Sequence, residues 1–315
     1  MILEKTFPAM GTVHTITLFD AEGPHAANDA RAYLQSLNQA WSCFQAGSLI
    51  SRINRMAGQA PVPVDKDTFE VLRQAKRYTG LTDGAFDVTI GPLADLWRKA
   101  MGEKRPPGND AVWRALKLVD GQDVLLDEGA QTVLLRQPGQ RIDLGGIAKG
   151  YAVDELRKRL RRHGVHRALL DLGGTVAALG CGLPVGIRDP FRLHGAPMGT
   201  LMLEDRIAVT SGVYERFAYM DGYRYHHVVD PRTGYPSKSG LVSVTLVGEN
   251  GGALDAFATA ALILGMEKSA PMLAEQGMDA VFVTEQGQVF VTRGLKRQFH
   301  LHNTTNTAGA QMSVA

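Results

Sequence analysis

Predicted strands and helices follow one another in this sequence without the strict β-α-β alternation of a doubly wound parallel sheet. Thr12–Phe19 alternates apolar and polar residues and predicts a strand, whereas Pro24–Phe44 repeats its apolar residues at helical spacing. The same patterns predict helices at Thr68–Thr79, Ile147–Arg162, Ala253–Gly265 and Lys268–Gln276. They predict short strands at Asp123–Leu126, Thr132–Arg136, Ala168–Leu172, Leu183–Ile187, Thr200–Leu203, Tyr225–Val229, Leu241–Val247, Ala280–Thr284 and Val289–Thr292. This mixed order favours an α+β fold with mixed, largely antiparallel sheets and flanking helices.

The bulk composition narrows the class of protein. With 44% hydrophobic and 21% charged residues, the 315-residue chain has the composition of an ordinary globular protein. Its formal charge of +2 gives no reason to expect a nucleic-acid partner. The two cysteines match no metal-binding spacing and give no disulfide framework. The segment MILEKTFPAMGT lacks a basic region followed by an apolar stretch, so we expect a cytoplasmic protein, or a periplasmic one if an export signal has been removed.

The predicted helix Ala253–Gly265 is built of small apolar residues and carries one charge, Asp255, with one hydroxyl, Thr259, four residues later. Four residues is about one helical turn, so both oxygens project from one helix face. Hard oxygens at that spacing suit a Mg²⁺ ion that also touches a phosphate. The alternative is that Asp255 caps the helix and Thr259 bonds back to its own backbone.

The segment Arg141–Tyr151, RIDLGGIAKGY, has the order of a strand, an acidic residue, two glycines and a helix with Lys149 in its first turn. Such a turn can bind an anion through free N–H groups and the helix dipole. It contains neither a Walker A loop nor a Rossmann fingerprint. Asp143 could hydrogen-bond a sugar or a ring N–H, or simply close a turn at the end of the strand.

Three further segments carry polar or aromatic groups that could form a site. Asp83–Leu93 places Phe86 beside backbone donors that could hold a planar ring, although Phe86 could equally fill the core. Thr210-Ser211-Gly212 offers hydroxyls on a flexible turn. His226–Gly234, HHVVDPRTG, is the densest polar cluster in the chain. Adjacent histidines on a strand point to opposite faces, which argues against a metal site made by both.

At these residues the chain resembles the ApbE family, the FAD:protein FMN transferases, over about Met10 to Thr292. Six motifs carry the resemblance, in matching order: Met10-Gly11-Thr12, Gly84-Ala85-Phe86-Asp87, Ile142-Asp143-Leu144-Gly145-Gly146-Ile147-Ala148-Lys149-Gly150, Thr210-Ser211-Gly212, His227-Val-Val-Asp230-Pro231-Arg232-Thr233-Gly234, and Asp255 with Thr259. An ordered set of this kind is specific to the family.

The resemblance implies Mg²⁺-dependent transfer of FMN from FAD to a threonine or serine hydroxyl of an acceptor flavoprotein, with release of AMP. It implies that His227 acts as the base on that hydroxyl, and that Mg²⁺ is held by Asp255, Thr259 and the backbone carbonyl near Gly146. It also implies an FAD pocket lined by Met10, Ala85, Phe86, Asp87, Asp143, Lys149, Ser211, Val229 and Thr233. The implied acceptor segment is of the type Ser/Thr-Gly-Ala-Thr/Ser, and nothing in the sequence fixes the oligomeric state.

The resemblance further predicts one catalytic domain over residues 1–299, which could divide into two subdomains around a central FAD cleft. The remaining residues, 300–315, are polar, small and aperiodic, and we expect a disordered tail there.

One region departs from the family pattern. Residues 44–54, FQAGSLISRIN, keep the Ser-x-x-Ser-Arg-x-Asn element but are shortened before it and lack the usual aromatic residue. A contact to the adenine or flavin of FAD could therefore be missing there or be supplied elsewhere. Two alternatives to the transferase also stay open: a pyrophosphatase that splits FAD into FMN and AMP, and a protein that binds FAD without catalysis.

Overall fold

The computed structural model describes residues 2–20, 23–180, 182–192, 195–302 and 312–314. The helices of this described part are α1 (Gly23–Trp41), α2 (Leu49–Arg55), α3 (Lys66–Leu81), α4 (Gly91–Glu103), α5 (Asn109–Leu116), α6 (Ala148–Arg162), α7 (Gly251–Leu264) and α8 (Met266–Glu275). Its strands are β1 (Leu3–Ala9), β2 (Thr12–Leu18), β3 (Val62–Pro63), β4 (Val124–Asp127), β5 (Thr132–Leu135), β6 (Ala168–Asp171), β7 (Thr175–Leu179), β8 (Gly182–Ile187), β9 (Gly199–Glu204), β10 (Ile207–Gly212), β11 (Phe217–Met220), β12 (Tyr223–His226), β13 (Leu241–Gly248), β14 (Asp279–Thr284), β15 (Val289–Val291), β16 (Phe299–Leu301) and β17 (Met312–Val314).

The chain forms two compact units. Unit 1 comprises Met1–Ser36, Lys149–Tyr214 and Ser239–Ala315, and unit 2 comprises Leu37–Ala148 and Glu215–Lys238. Both contain helices and antiparallel sheet, which confirms the predicted α+β class. In the part of the chain that the structure describes, no helix is long and apolar enough to cross a bilayer.

Unit 1 is organised by a nine-stranded sheet in the order β1-β2-β6-β7-β10-β13-β14-β15-β17. Every neighbouring pair is antiparallel except β15 and β17. Strand β13 is buried along all eight residues, and α7 packs on β13 and β10. All of α7 except Thr259 and Leu264 is buried, which explains why this helix is apolar on every face. The second sheet of this unit has the order β16-β9-β8.

Unit 2 contains α2 to α5, the small sheet β3-β5-β4 and the hairpin β11-β12. Its described core includes a cluster of buried residues from two helices, the hairpin and the segment after it: Leu93, Trp97, Val112, Met220 and Val229. The Trp97 indole stacks on Tyr225 at 5.5 Å between ring centroids and donates a hydrogen bond of 2.8 Å to the Gly234 carbonyl. Helix α4 therefore holds both the hairpin and the turn that follows it.

Two predictions about local structure need correction. Thr210-Ser211-Gly212 is not a flexible turn but the end of β10, where Ser211 pairs with Val244 of β13. The reason is that this short polar end continues the apolar strand Ile207–Val209, whose pairing with β13 extends through it. His300 was predicted to begin a disordered tail, but it lies in β16, paired with Thr200 of β9. Residues 303–311 of that predicted tail lie outside the described residues, whereas the backbone of β17 pairs with β15.

Candidate functional site

In unit 1, helices α6 and α7 bring Lys149 and Asp255 together. The Asp255 carboxylate is 3% exposed, and its Oδ2 accepts a hydrogen bond of 3.0 Å from the Gly150 N–H at the start of α6. Burial raises the pKa of Asp255, while the Lys149 charge and the backbone N–H groups of Gly150 and Lys149 oppose that rise. Asp255 is thus a buried acid with backbone donors and one cation as neighbours.

Asp255 does not cap its own helix. Helix α7 begins at Gly251, and the side chain of Asn250 caps it by accepting a 2.8 Å hydrogen bond from the Ala253 N–H. The alternative explanation is nevertheless right about Thr259, whose Oγ1 donates a 3.2 Å hydrogen bond back to the Asp255 carbonyl. That donation leaves the lone pairs of the hydroxyl oxygen available to a ligand.

A second aspartate, Asp154 on α6, mirrors Asp255. Its two carboxylate oxygens accept hydrogen bonds of 2.9 and 3.0 Å from the N–H groups of Gly251 and Gly252, the first two residues of α7. Burial raises the pKa of Asp154, and the same two N–H groups oppose that rise. Each helix therefore supplies a carboxylate that caps the start of the other.

The two helices touch at Gly150 and Gly251, a contact we call the Gly150–Gly251 crossing. A Cβ built on Gly150 would overlap the Gly251 carbonyl and lie 2.8 Å from the Cβ of Asp255. A Cβ built on Gly251 would overlap the Gly150 carbonyl and lie 2.7 Å from Val153 Cγ1. Only glycine lets the backbones approach closely enough for the reciprocal caps.

We expect Gly150→Ala to destabilise the protein by about 3 kcal/mol, since backbone atoms rather than flexible side chains would have to move. Urea unfolding followed by circular dichroism measures this change. The matched control is Gly102→Ala in α4, where a Cβ meets nothing within 4 Å. Alanine is the better helix former, so the control should be neutral or stabilising by up to about 1 kcal/mol. Equal effects of the two substitutions would contradict the tight crossing.

Several N–H groups of the glycine turn before α6, which we predicted to bind an anion, donate hydrogen bonds within the chain. Within unit 2, Gly145 N–H donates to Asp143 Oδ1 at 2.8 Å, and the N–H groups of Ile147 and Ala148 donate to the Leu144 carbonyl. The Gly150 N–H is held by Asp255, and the Lys149 side chain adds a positive charge at the start of α6. Asp143 closes the turn, which was the alternative interpretation of that residue.

The side-chain oxygens of Asp255 and Thr259 on α7 suit a cation that is also bound by water or phosphate. Among the described residues, no group of three or more His, Cys, Asp or Glu side chains could hold a metal ion. Asp255 and Thr259 are hard oxygen donors one helical turn apart, and Mg²⁺ usually binds one or two protein groups together with waters and phosphates. The donor set is therefore compatible with Mg²⁺ bound to a phosphate, and is too small for a metal cage made of protein alone.

In unit 2, the Gly84–Asp87 motif forms a turn with a buried end. Ala85 and Phe86 are buried, and the Phe86 N–H donates to Thr82 Oγ1. Asp87 accepts hydrogen bonds from the Thr89 N–H and hydroxyl and from the Gly121 N–H, at 2.6 to 2.8 Å. Burial raises the pKa of Asp87, and these donors oppose the rise. The Asp87 side chain thus organises the loop.

The two adjacent histidines differ in their environment. His226 is largely buried and its Nε2 donates to the Ser237 carbonyl at 3.0 Å; burial lowers the pKa of His226 to about 4. His227 is more exposed, and its Nδ1 lies 3.2 Å from the Arg216 carbonyl oxygen. A carbonyl can only accept, so the proton resides on Nδ1 and the His227 Nε2 is the basic nitrogen.

The turn after His227 is held by Asp230. Its carboxylate accepts hydrogen bonds from the Arg232 guanidinium at 2.8 and 2.9 Å, which raise the pKa of Arg232, and its carbonyl accepts from the Gly234 N–H. Val229 is buried in the unit 2 cluster, and Thr233 Oγ1 accepts from the Tyr235 N–H. A cavity of about 500 Å³ brings this turn together with the Gly84–Asp87 motif, with Gly84, Asp87, Pro231 and Arg232 among its lining residues.

Two predicted residues of unit 1, Met10 and Ser211, belong to the region of the large sheet. Met10 occupies the β1–β2 turn with a φ of 49°, and the preceding Ala9 carbonyl lies 2.7 Å from Nε2 of the buried His14. Ser211 lies at the end of β10.

The roles of Asp154, and of Asn54 in the shortened 44–54 region, were not predicted from the sequence. Asn54, in unit 2, donates from Nδ2 to the Ile142 carbonyl and accepts from the Ile142 N–H, at 3.1 and 2.7 Å. It thereby fixes the backbone of the residue next to Asp143. Ser48 caps α2 through the Ser51 N–H. The Ser-x-x-Ser-Arg-x-Asn spacing was the available signal, but no pattern in the sequence pointed to Asp154.

Comparisons with known proteins give a consistent result. The family model described as the ApbE family matches residues 10–282. A protein of Klebsiella pneumoniae strain 342, named FAD:protein FMN transferase, is 38% identical over 256 residues, covering 81% of each chain. One of Treponema pallidum with the same name is 35% identical, covering 87% of this chain and 81% of its own. The crystal structure of the ApbE protein of Thermotoga maritima superposes with a TM-score of 0.84 at 31% identity, covering 92% of this chain and 96% of that one.

Proposed function

Since this chain belongs to the ApbE family, we propose that it is a Mg²⁺-dependent flavin transferase that moves FMN from FAD to a threonine or serine hydroxyl of an acceptor protein and releases AMP. The observation that carries the proposal is the contact of His227 Nδ1 with the Arg216 carbonyl. That contact makes the opposite nitrogen, Nε2, a base for the acceptor hydroxyl.

The proposed reaction is a displacement at the FMN phosphorus. The acceptor oxygen forms a bond to this phosphorus, and its proton passes to His227 Nε2. The bond from the same phosphorus to the bridging oxygen breaks, and that oxygen leaves with AMP. Atoms and charge balance with no further reactant.

Residues on α6 and α7 support the charge that develops during this displacement. Mg²⁺, when bound, would offset charge on the phosphoryl oxygens and on the AMP leaving group. Asp255 and Thr259 would hold it in unit 1. The Lys149 side chain would contribute a further positive charge, since its ammonium neighbours Asp255 in unit 1. We also propose the remaining predicted FAD contacts: Met10, Ala85, Phe86, Asp87, Asp143, Ser211, Val229 and Thr233.

Incubation of the protein with FAD and Mg²⁺, with and without an acceptor domain carrying a Ser-Gly-Ala-Thr segment, tests the proposed function. We expect AMP and a flavin-labelled acceptor only when acceptor, FAD and Mg²⁺ are all present, and neither product after EDTA treatment. AMP without acceptor would instead identify a pyrophosphatase. FAD binding without AMP under any condition would identify a binding protein.

A further inference from the structure

We infer that Asp154 is a positioning residue for the metal ligand Asp255, which it acts on through the start of helix α7. This inference rests on the proposed function, in which Asp255 binds Mg²⁺. Asp154 itself touches neither metal nor substrate in this scheme.

The first observation concerns the hydrogen bonds accepted by the two carboxylate oxygens of Asp154. Both accept hydrogen bonds from the first two N–H groups of α7, those of Gly251 and Gly252. Asn250 takes the third N–H, that of Ala253. These groups have no partner inside their own helix, so a buried helix start needs acceptors from outside it. Two of the three acceptors come from one side chain on α6.

The second observation is that Asp255 lies one turn after the start of α7 and makes the reciprocal contact with α6. Its Oδ2 accepts from the Gly150 N–H, and Gly150 packs backbone to backbone against Gly251. Asp154 thus holds the start of α7 to α6, and Asp255 holds the start of α6 to α7. A shift of α7 therefore moves the Asp255 carboxylate relative to Lys149, the cationic neighbour that helps keep its charge.

A third side chain on α6 strengthens this arrangement. Arg157, one turn after Asp154, donates from Nη1 to the Glu249 carbonyl at 3.1 Å and from Nη2 to the Asp205 carbonyl at 2.9 Å. Glu249 lies just before α7, so one face of α6 fixes both the approach to α7 and its first two residues. Asp154 is the part of this face that bonds to the helix itself.

The physical expectation follows from how buried metal ligands are oriented. Groups that hold a ligand in place commonly change metal affinity by about 10- to 100-fold when removed, even though they never touch the ion. Asp154→Ala leaves two buried N–H groups without acceptors and releases the start of α7. Asp255 keeps its chemistry but loses its fixed position.

Isothermal titration calorimetry of Mg²⁺ binding to the FAD-loaded protein tests the inference without measuring catalysis. We expect Asp154→Ala to raise the Kd for Mg²⁺ about tenfold or more. Asp154→Asn keeps one acceptor oxygen and should give a Kd between those of Asp154→Ala and the unmodified protein. It also keeps the test decisive if Asp154→Ala does not fold.

The matched control is Asp65→Ala, which removes a carboxylate that caps helix α3 in unit 2 by accepting from the Thr68 N–H at 2.7 Å. It also loses a side-chain helix cap, and it should keep the Kd of the unmodified protein for Mg²⁺. An unchanged Kd in both Asp154 variants would overturn the positioning role alone. Failure of the unmodified, FAD-loaded protein to bind Mg²⁺ would overturn both this inference and the proposed metal dependence.

Discussion

Replacing His227 with alanine should lower the rate of FMN transfer by about 10²- to 10⁴-fold while FAD binding stays nearly unchanged. The variant loses the Nε2 acceptor for the hydroxyl proton, and the attack on phosphorus then depends on water as the base. Flavin fluorescence of the labelled acceptor measures transfer after gel separation, and fluorescence quenching measures FAD affinity.

His226→Gln is the matched control for this prediction, because it changes the neighbouring imidazole, which donates to the Ser237 carbonyl inside unit 2. A glutamine amide can still donate to that carbonyl, so we expect a modest loss of thermal stability and a transfer rate close to that of the unmodified protein. Comparable losses of transfer in both variants would show that the turn, and not a base at His227, is what matters. Full transfer by His227→Ala would remove the base assignment.

Much of the fold could be predicted because its main elements repeat apolar residues at clear periods. The expected helix Thr68–Thr79 is α3, Lys66–Leu81, and the expected strand Leu241–Val247 is β13, Leu241–Gly248. Asp255, the lone charge in an otherwise apolar helix, is buried, so its charge needs neighbours.

The missed elements lack such a period or begin with residues that resemble turns. Helix α4 starts at Gly91-Pro92, and α5 starts after a Pro/Gly-rich loop, so both begin where the sequence predicts an interruption. Strand β7, Thr175–Leu179, is short and follows paired glycines. Tertiary packing against neighbouring strands decides these segments.

The site residues divide in the same way. Residues with their own chemistry, such as His227 and Asp255, could be proposed as site residues from residue type and motif order. Those that act by hydrogen-bonding backbone could not, because their partners are distant in sequence: Asp154 caps residues 97 and 98 positions later, and Asn54 pairs with a residue 88 positions later. Only the fold reveals such contacts.

Asp255→Asn should lower FMN transfer at least about 100-fold, because a near-isosteric amide keeps the shape of the side chain but removes the charge that attracts Mg²⁺. Its amide oxygen can still accept from the Gly150 N–H, so we expect stability to fall only modestly. Asp255→Ala should lose transfer to the same extent and also lose about 1–3 kcal/mol of stability, since a buried N–H is left without a partner.

The difference between these two variants separates the two roles of Asp255, binding Mg²⁺ and capping the start of α6. Transfer assays over a range of Mg²⁺ concentrations measure the first role. Urea unfolding measures the second. Asp123→Asn is the matched control: this aspartate is also buried, but it bonds to Gln137 and Gln140 in unit 2, and its replacement should leave transfer intact. Normal transfer with normal Mg²⁺ dependence in Asp255→Asn would contradict the metal assignment. In that case the buried carboxylate would serve only to join the starts of α6 and α7, and the cation for the pyrophosphate would have to come from Lys149.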